Sequence, residues 1–219
     1  MSDTFEFFNE NGQRVDHLTS ERTEQEQAST YIPEDAKGVL ELGSRYGTVT
    51  CSISRRIGYR PVLITVEPDI SVWQPLEDNI KRNGAKAFIV KGTISKTPVG
   101  FVKFQYGSFT SKDPMEGAKK VSEYYRIPLQ YYTSIKVVSL EEVQEAAQIP
   151  VIDTLVADCE GFLEQFMDEN PHLYTSVNTF IFERDGGDRC DYDKIEANLK
   201  EHGFREIVSG FHAVWIKGR

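Results

Sequence analysis

The stretch from Val39 to Asp69, VLELGSRYGTVTCSISRRIGYRPVLITVEPD, restricts the fold more than any other part of the chain. An apolar run, VLEL, breaks at Gly43. Val49, Ile53 and Ile57 then recur at four-residue spacing with Gly58 as a stop, and a second apolar run, VLITV, ends on Glu67. Four-residue spacing is helical, and short apolar runs bounded by turn residues are buried strands. Two buried strands joined through a helix pair in parallel, because a tight hairpin leaves no room for the helix. That requirement calls for a sheet covered on both faces.

The same alternation continues. SVWQPLEDNIKRNG reads as a helix with Ser71 as cap, Pro75 in its first turn, Trp73, Leu76 and Ile80 on one face, and Gly84 at its end. AFIVKGTIS reads as a third strand. In SLEEVQEAA, Ser139 and Glu142 form a capping box on an amphipathic helix. IDTLVAD and NTFIFERD are two more buried strands around a short helix, FLEQFMDE. YDKIEANLKEHGF is a helix with Ile195 and Leu199 inward and Gly203 after it, and REIVSGFHAVWIKG is a strand pair. The expected fold is α/β and Rossmann-like: a mostly parallel sheet, an antiparallel C-terminal hairpin, and helices on both faces.

At 219 residues the chain fits one domain. Residues 1–37 read as a polar lid or edge segment with an exposed helix over Ser20–Tyr31. Residues 96–136 read as an insertion. Within it Thr97–Tyr132 follows no period and carries Phe101, Phe104, Tyr106, Phe109, Tyr124, Tyr125, Tyr131 and Tyr132. Long irregular segments in compact domains are usually functional, so this one is expected on the acceptor side of a site; a structured insertion packing its aromatics into the core is the equal alternative.

With 25 basic against 34 acidic residues the net charge is −9, which excludes a nucleic-acid backbone as main partner. No apolar stretch reaches the ~20 residues of a membrane span. The start, MSDTFEFFNENGQ, lacks a signal-peptide pattern, and Cys51, Cys159 and Cys190 have neither disulfide-framework nor zinc-cage spacing. A cytoplasmic location is expected. Oligomeric state is not legible.

The first loop selects among nucleotide-like ligands. A dinucleotide fingerprint starting at Gly43 would need glycine where Arg45 and Thr48 stand; only Gly47 is added. Glu41, at the strand end, would repel a pyrophosphate on the helix N-terminus but attract an ammonium. S-adenosylmethionine carries an ammonium and a sulfonium and no phosphate, so it fits best. Glu67 suits a ribose diol. Ser44 in the loop, Pro68 and Asp69 after Glu67, Thr93 late in the third strand and Asp158 at the end of the fourth complete the expected cofactor set. An NAD(P)-dependent oxidoreductase and a non-catalytic cofactor-binding module are the alternatives.

IDTLVADCEGFLEQFM resembles the signature of FkbM-type methyltransferases, an apolar strand running into Asp, one residue, Glu and Gly. VEPD with LEDNIKRNG is similar to that family's acid-Pro turn and helix, and VVSLEEV to its strand-cap-helix entry. The resemblance runs in order from about Gly38 to Trp215. It implies a class I methyltransferase fold and S-adenosylmethionine-dependent O-methylation, often of sugar hydroxyls, hence a sugar or glycan acceptor. The chain departs from the family in having Glu41 for Asp, Ser44-Arg45 for an Ala-Asn pair, and Val156-Ala157 where a Lys often precedes the signature Asp.

Asp158 and Glu160 end the fourth strand, and Glu183 and Asp185 end the fifth. Asp158, Glu160 and Glu183 are the expected catalytic carboxylates. By resemblance to small metal-dependent sugar O-methyltransferases, Asp158, Glu183 and Asp185 would hold Mg²⁺ or Mn²⁺, with Glu160 as base. In the blander reading Glu160 caps a helix and Asp158 binds only the cofactor amine. His172 and His212 could reach the site but read first as surface or packing residues, and Cys159, flanked by acids, as a poor nucleophile.

Overall fold

A computed structural model describes residues 5–16, 21–104, 107–111, 131–185 and 189–218. The chain opens with the antiparallel pair β1 (Phe7–Phe8) and β2 (Arg14–Val15), followed by α1 (Arg22–Tyr31), β3 (Val39–Leu42), α2 (Thr48–Arg56) and β4 (Leu63–Glu67). A 3₁₀ turn (Ile70–Val72) runs into α3 (Trp73–Arg82), then β5 (Phe88–Lys91) and β6 (Thr93–Ile94). β7 (Gly100–Phe104), β8 (Gly107–Ser111), β9 (Tyr131–Ser134) and β10 (Val137–Val138) precede α4 (Leu140–Ala147) and β11 (Thr154–Ala157). The rest is α5 (Leu163–Glu169), α6 (Leu173–Ser176), β12 (Thr179–Glu183), α7 (Tyr192–Glu201), β13 (Phe204–Val208) and β14 (His212–Lys217).

Seven strands form one sheet in the order β13-β14-β12-β11-β3-β4-β5. β12, β11, β3, β4 and β5 are parallel neighbours, and β14 runs antiparallel to both β12 and β13. From β3 the chain steps outward to β4 and β5, then returns to β11 on the other side of β3. Strand order therefore reverses between β3 and β11, and loops leaving their carboxyl ends part to open a crevice.

Strand alternation decides which face each residue serves. Leu40, Leu42, Leu155, Phe180, Phe182 and Trp215 pack with Leu140, Phe166, Ile195 and Leu199 on one face. Val39, Leu63, Val156, Ile181 and Val214 pack with Ala28, Ile32, Val49 and Ile53 on the other, beneath α1 and α2. The parallel sheet, the C-terminal hairpin, the α2 and α7 stripes, and the capping box of Ser139 and Glu142 are as the sequence predicts. Ser139→Ala removes the acceptor for the Glu142 N–H, and urea unfolding should show a loss of about 1 kcal/mol.

Four expectations change. The helix over 20–31 is not an exposed edge: Ala28 is fully buried and Gln27 nearly so, because α1 packs on α2. The N-terminal segment also holds the β1–β2 pair, whose Phe7 is buried with Phe5, Cys51, Leu76 and Ile80. The third strand is broken at Gly92, whose φ of 147° and close approach to the Lys136 carbonyl send β6 away to pair with β10. Ser71 does not cap α3, which follows Val72 without a side-chain cap; Asp69 caps the 3₁₀ turn before it, its Oδ1 accepting from Ser71 N at 2.9 Å.

The segment over Thr97–Tyr132 carries regular structure where described, as in a structured insertion: β7 pairs antiparallel with both β8 and β9. Within it Phe101 is buried, so its ring packs inward instead of offering a stacking face. Tyr106, Tyr124 and Tyr125 lie outside the described residues. Among the described residues no helix is long and apolar enough to cross a membrane.

Candidate functional site

Side chains two apart on a strand share a face, so the α1–α2 face can be followed to the carboxyl end of each strand. On β3 it runs Val39, Glu41; on β4, Leu63, Thr65, Glu67. Beyond β11 it reaches Asp158 after Val156, on β12 Glu183 after Ile181, and on antiparallel β14 His212 opposite Glu183. The apolar part of this face is the core under α1 and α2. Its polar end lines a cleft, with Glu41, Gly43, Asp158, Glu183 and His212 below and Glu21, Glu24 and Gln27 of the α1 region above.

Glu41 is buried at 1% exposure. Its Oε2 accepts hydrogen bonds from the Thr50 and Thr65 hydroxyls, each at 2.6 Å, while its buried Oε1 has no partner. Burial pushes its carboxyl up to about 7. The Thr48 hydroxyl donates to Glu21, whose carboxyl burial also raises.

The loop after β3 crosses close to β11. Gly43 has φ 86°, and a Cβ there would stand 1.7 Å from the Asp158 carbonyl oxygen. Gly47, at φ 81°, begins α2. Between them Arg45 takes a left-handed φ of 43° without being glycine, and its N–H donates to Glu67 Oε2 at 2.7 Å. Glu67 Oε1 accepts from Asp69 N at 2.7 Å, and burial pushes this carboxyl too up to about 7 against the pull of those amides. Ser44 bonds through its hydroxyl to the Val66 carbonyl at 3.3 Å. Pro68 is half-buried in the turn, Lys103 of β7 pairs with Asp69 at 2.6 Å, and Thr93 is buried on β6.

The acidic residues divide into two groups. Asp158 and Glu183 line the cleft. Burial, then Glu183, drives Asp158 well above the usual carboxylate range, and burial, then Glu24, pushes Glu183 up to about 8. Glu160 and Asp185 do not line it. β11 ends at Ala157, so Asp158 and Glu160 do not continue one strand face: Glu160 turns at φ 56° and its carboxylate lies 3.4 Å from Arg189. Asp185 instead organises that turn, accepting from Glu160 N at 2.9 Å and from the Tyr192 hydroxyl at 3.2 Å. Arg184, between Glu183 and Asp185, points away into ion pairs with Glu196 and Glu206. Burial, then Asp185 and Asp158, raises the Cys159 thiol, as its acidic neighbours foretell.

The Asp158, Glu183 and Asp185 ligand set is therefore not the one the chain brings together. Among the described residues, the donors close enough to share an ion are Glu24, Glu183 and His212. Sequence reasoning passed over Glu24 and Gln27, and favoured a surface or packing role for His212 over reach to the site. Two patterns could have found them: Glu24, Gln27, Ala28 and Tyr31 recur at helical spacing, and His212 precedes Val214 by two on a strand.

No family model and no curated protein matches the chain. Solved structures do. Precorrin-6y C5,15-methyltransferase from Geobacter metallireducens aligns over 99% of this chain and 96% of its own, at 12% identity and a TM-score of 0.52. An O-methyltransferase family protein from Burkholderia thailandensis aligns over 91% and 56%, at 10% identity and a TM-score of 0.48. An O-methyltransferase from Bacillus cereus, in complex with SAH, aligns over 93% and 84%, at 11% identity and a TM-score of 0.44. The near-complete mutual coverage of the first, with the strand order above, establishes the Rossmann-like methyltransferase fold for this chain.

Proposed function

We propose that this protein binds S-adenosylmethionine in the cleft beyond β3 and β11 and transfers its methyl group to an acceptor hydroxyl. The observation that carries the reading is the unpartnered Glu41 Oε1, buried among Glu21, Asp158 and Glu183 at the point where strand order reverses. Such a wall favours a cation and opposes a pyrophosphate, which counts against a dinucleotide. When bound, S-adenosylmethionine supplies a methyl carbon activated by an adjacent sulfonium.

The chain's own part is to hold and align. Glu41 and Asp158, whose carboxyls burial raises, offer oxygens to an ammonium, and a cation there favours their ionised form. Gly43 and Gly47 leave two positions of the loop without a Cβ. Glu67, fixed by two backbone amides, keeps lone pairs for a ribose diol. Glu183, pushed up to about 8, and Asp158, raised by burial and then by Glu183, are more basic than ordinary carboxylates and in their ionised form suit acceptance of a hydroxyl proton. FkbM-type character and a sugar or glycan acceptor rest on the order of sequence motifs from Gly38 to Trp215.

Calorimetry with S-adenosylhomocysteine and NAD⁺ tests the cofactor. The expected result is binding of the first and not the second, with Glu67→Ala losing about 1.5–3 kcal/mol. Tight NAD⁺ binding with no response to S-adenosylhomocysteine would reject the reading.

A further inference from the structure

The α1 helix brings two side chains to the cleft that the methyl-donor reading does not use. Glu24 lies in its first turn and Gln27 three residues on, so both face the sheet. Below them stand Glu183, the last residue of β12, and His212, the first of β14, paired opposite each other in the ladder. Ligand atoms of Glu24, Glu183 and His212 all lie within 4.8 Å of one another, and His212 Nδ1 is 3.4 Å from Glu24 Oε1.

Three chain segments distant in sequence thus direct two carboxylates and an imidazole at one point. A second observation stands apart from that clustering. Gln27 is 7% exposed, and its buried Oε1, on the wall of the same cleft, accepts no hydrogen bond. His212 Nδ1 is likewise buried without a well-aligned hydrogen bond. Buried polar atoms are ordinarily satisfied, and oxygen and nitrogen atoms left open around one point are what a cation would satisfy.

We propose that Glu24, Glu183 and His212 bind a divalent transition-metal ion, with Gln27 Oε1 available as a neutral fourth ligand. One imidazole with two carboxylates suits Mn²⁺, Fe²⁺ or Zn²⁺ better than the all-oxygen preference of Mg²⁺ or Ca²⁺. Three charged or imidazole ligands leave positions open to an outside oxygen. Asp158 lines the same cleft, so an ion here would hold an acceptor oxygen beside the transfer site; that use rests on the proposed methyl transfer, whereas binding of the ion does not.

Titration of the metal-stripped full-length protein with Mn²⁺ and with Zn²⁺, without methyl donor or acceptor, separates the two. One ion per chain is expected by calorimetry, and Mn²⁺ binding should also appear in its electron paramagnetic resonance spectrum. Glu24→Gln and His212→Gln should each weaken binding by about tenfold or more, while Asp185→Asn leaves it unchanged. Circular dichroism and melting curves confirm that each variant is folded, and the two ligand variants on separate elements back each other. Absence of stoichiometric binding of either ion overturns the proposal. So does binding that survives in both Glu24→Gln and His212→Gln, or binding lost in Asp185→Asn alone. Metal binding without S-adenosylhomocysteine binding would sustain the site and reject the cofactor reading.

Discussion

Gly43→Ala is expected to destabilise the protein by about 4 kcal/mol or more, a range reached only through a named steric or packing fault. Two costs combine. A left-handed φ of 86° disfavours any Cβ by about 1–2 kcal/mol, and here the Cβ would stand 1.7 Å from the Asp158 carbonyl oxygen. That oxygen belongs to backbone whose N–H bonds to the Leu42 carbonyl at 3.0 Å, so it cannot swing aside without unpairing β3 from β11. Gly58→Ala is the control. Its φ of 68° is equally left-handed, but a Cβ there meets nothing within 4 Å, so it should lose only about 1 kcal/mol. Chemical denaturation of both variants gives the comparison. Equal losses would mean that the β3 loop does not cross β11 as closely as described. Any Gly43→Ala protein that stays folded should also bind S-adenosylhomocysteine poorly, because relief of the clash moves Asp158.

The sheet was legible because its information is local and periodic. VLEL, VLITV, TLVA and TFIF are mostly apolar runs buried on both faces, as strands covered on both sides must be, and Gly58, Gly84 and Gly203 punctuate the helices. Glu41 and Glu67 could be placed for the same reason, since each sits at a strand end beside a readable turn. What failed depended on distant contacts. The break at Gly92 follows from the Lys136 carbonyl far along the chain, and the burial of Ala28 follows from α2 packing over it.

The acidic constellation shows where pattern reading stops. Asp-x-Glu suggests two carboxylates on one face only if the strand persists, and β11 ends one residue before Asp158. Past that point the direction of Glu160 is set by its left-handed turn and by Asp185 beneath it. Local spacing can put Glu24 on the inward face of α1 and His212 on the face of Val214, but it cannot pair them. Their meeting with Glu183 follows from how α1 lies across β12 and β14.

Raising the pH from about 5.5 to about 8.5 is expected to lower the melting temperature of the ligand-free protein by roughly 5 °C or more. Glu41 and Glu67 are each raised by burial from an ordinary 4.5 to about 7. A carboxyl whose folded value is raised binds its proton more tightly in the folded state than in the unfolded one. Its stabilising effect is therefore complete below pH 4.5 and fades as pH climbs through 7. At about 1.4 kcal/mol per pH unit of difference, each group has a ceiling of about 3.5 kcal/mol. The carboxyls of Glu142 and Glu169 are shifted the opposite way, so their stabilising effect is lost toward acid, below the window measured. Glu41→Gln removes one titration and should flatten the slope, with the Thr50 and Thr65 hydroxyls still able to bond the amide. Saturating S-adenosylhomocysteine should flatten it as well, because its ammonium favours the ionised form of Glu41 in the folded state. A melting temperature that holds or rises across this range, or an unchanged slope in Glu41→Gln, would contradict a protonated carboxyl at the floor of the cleft.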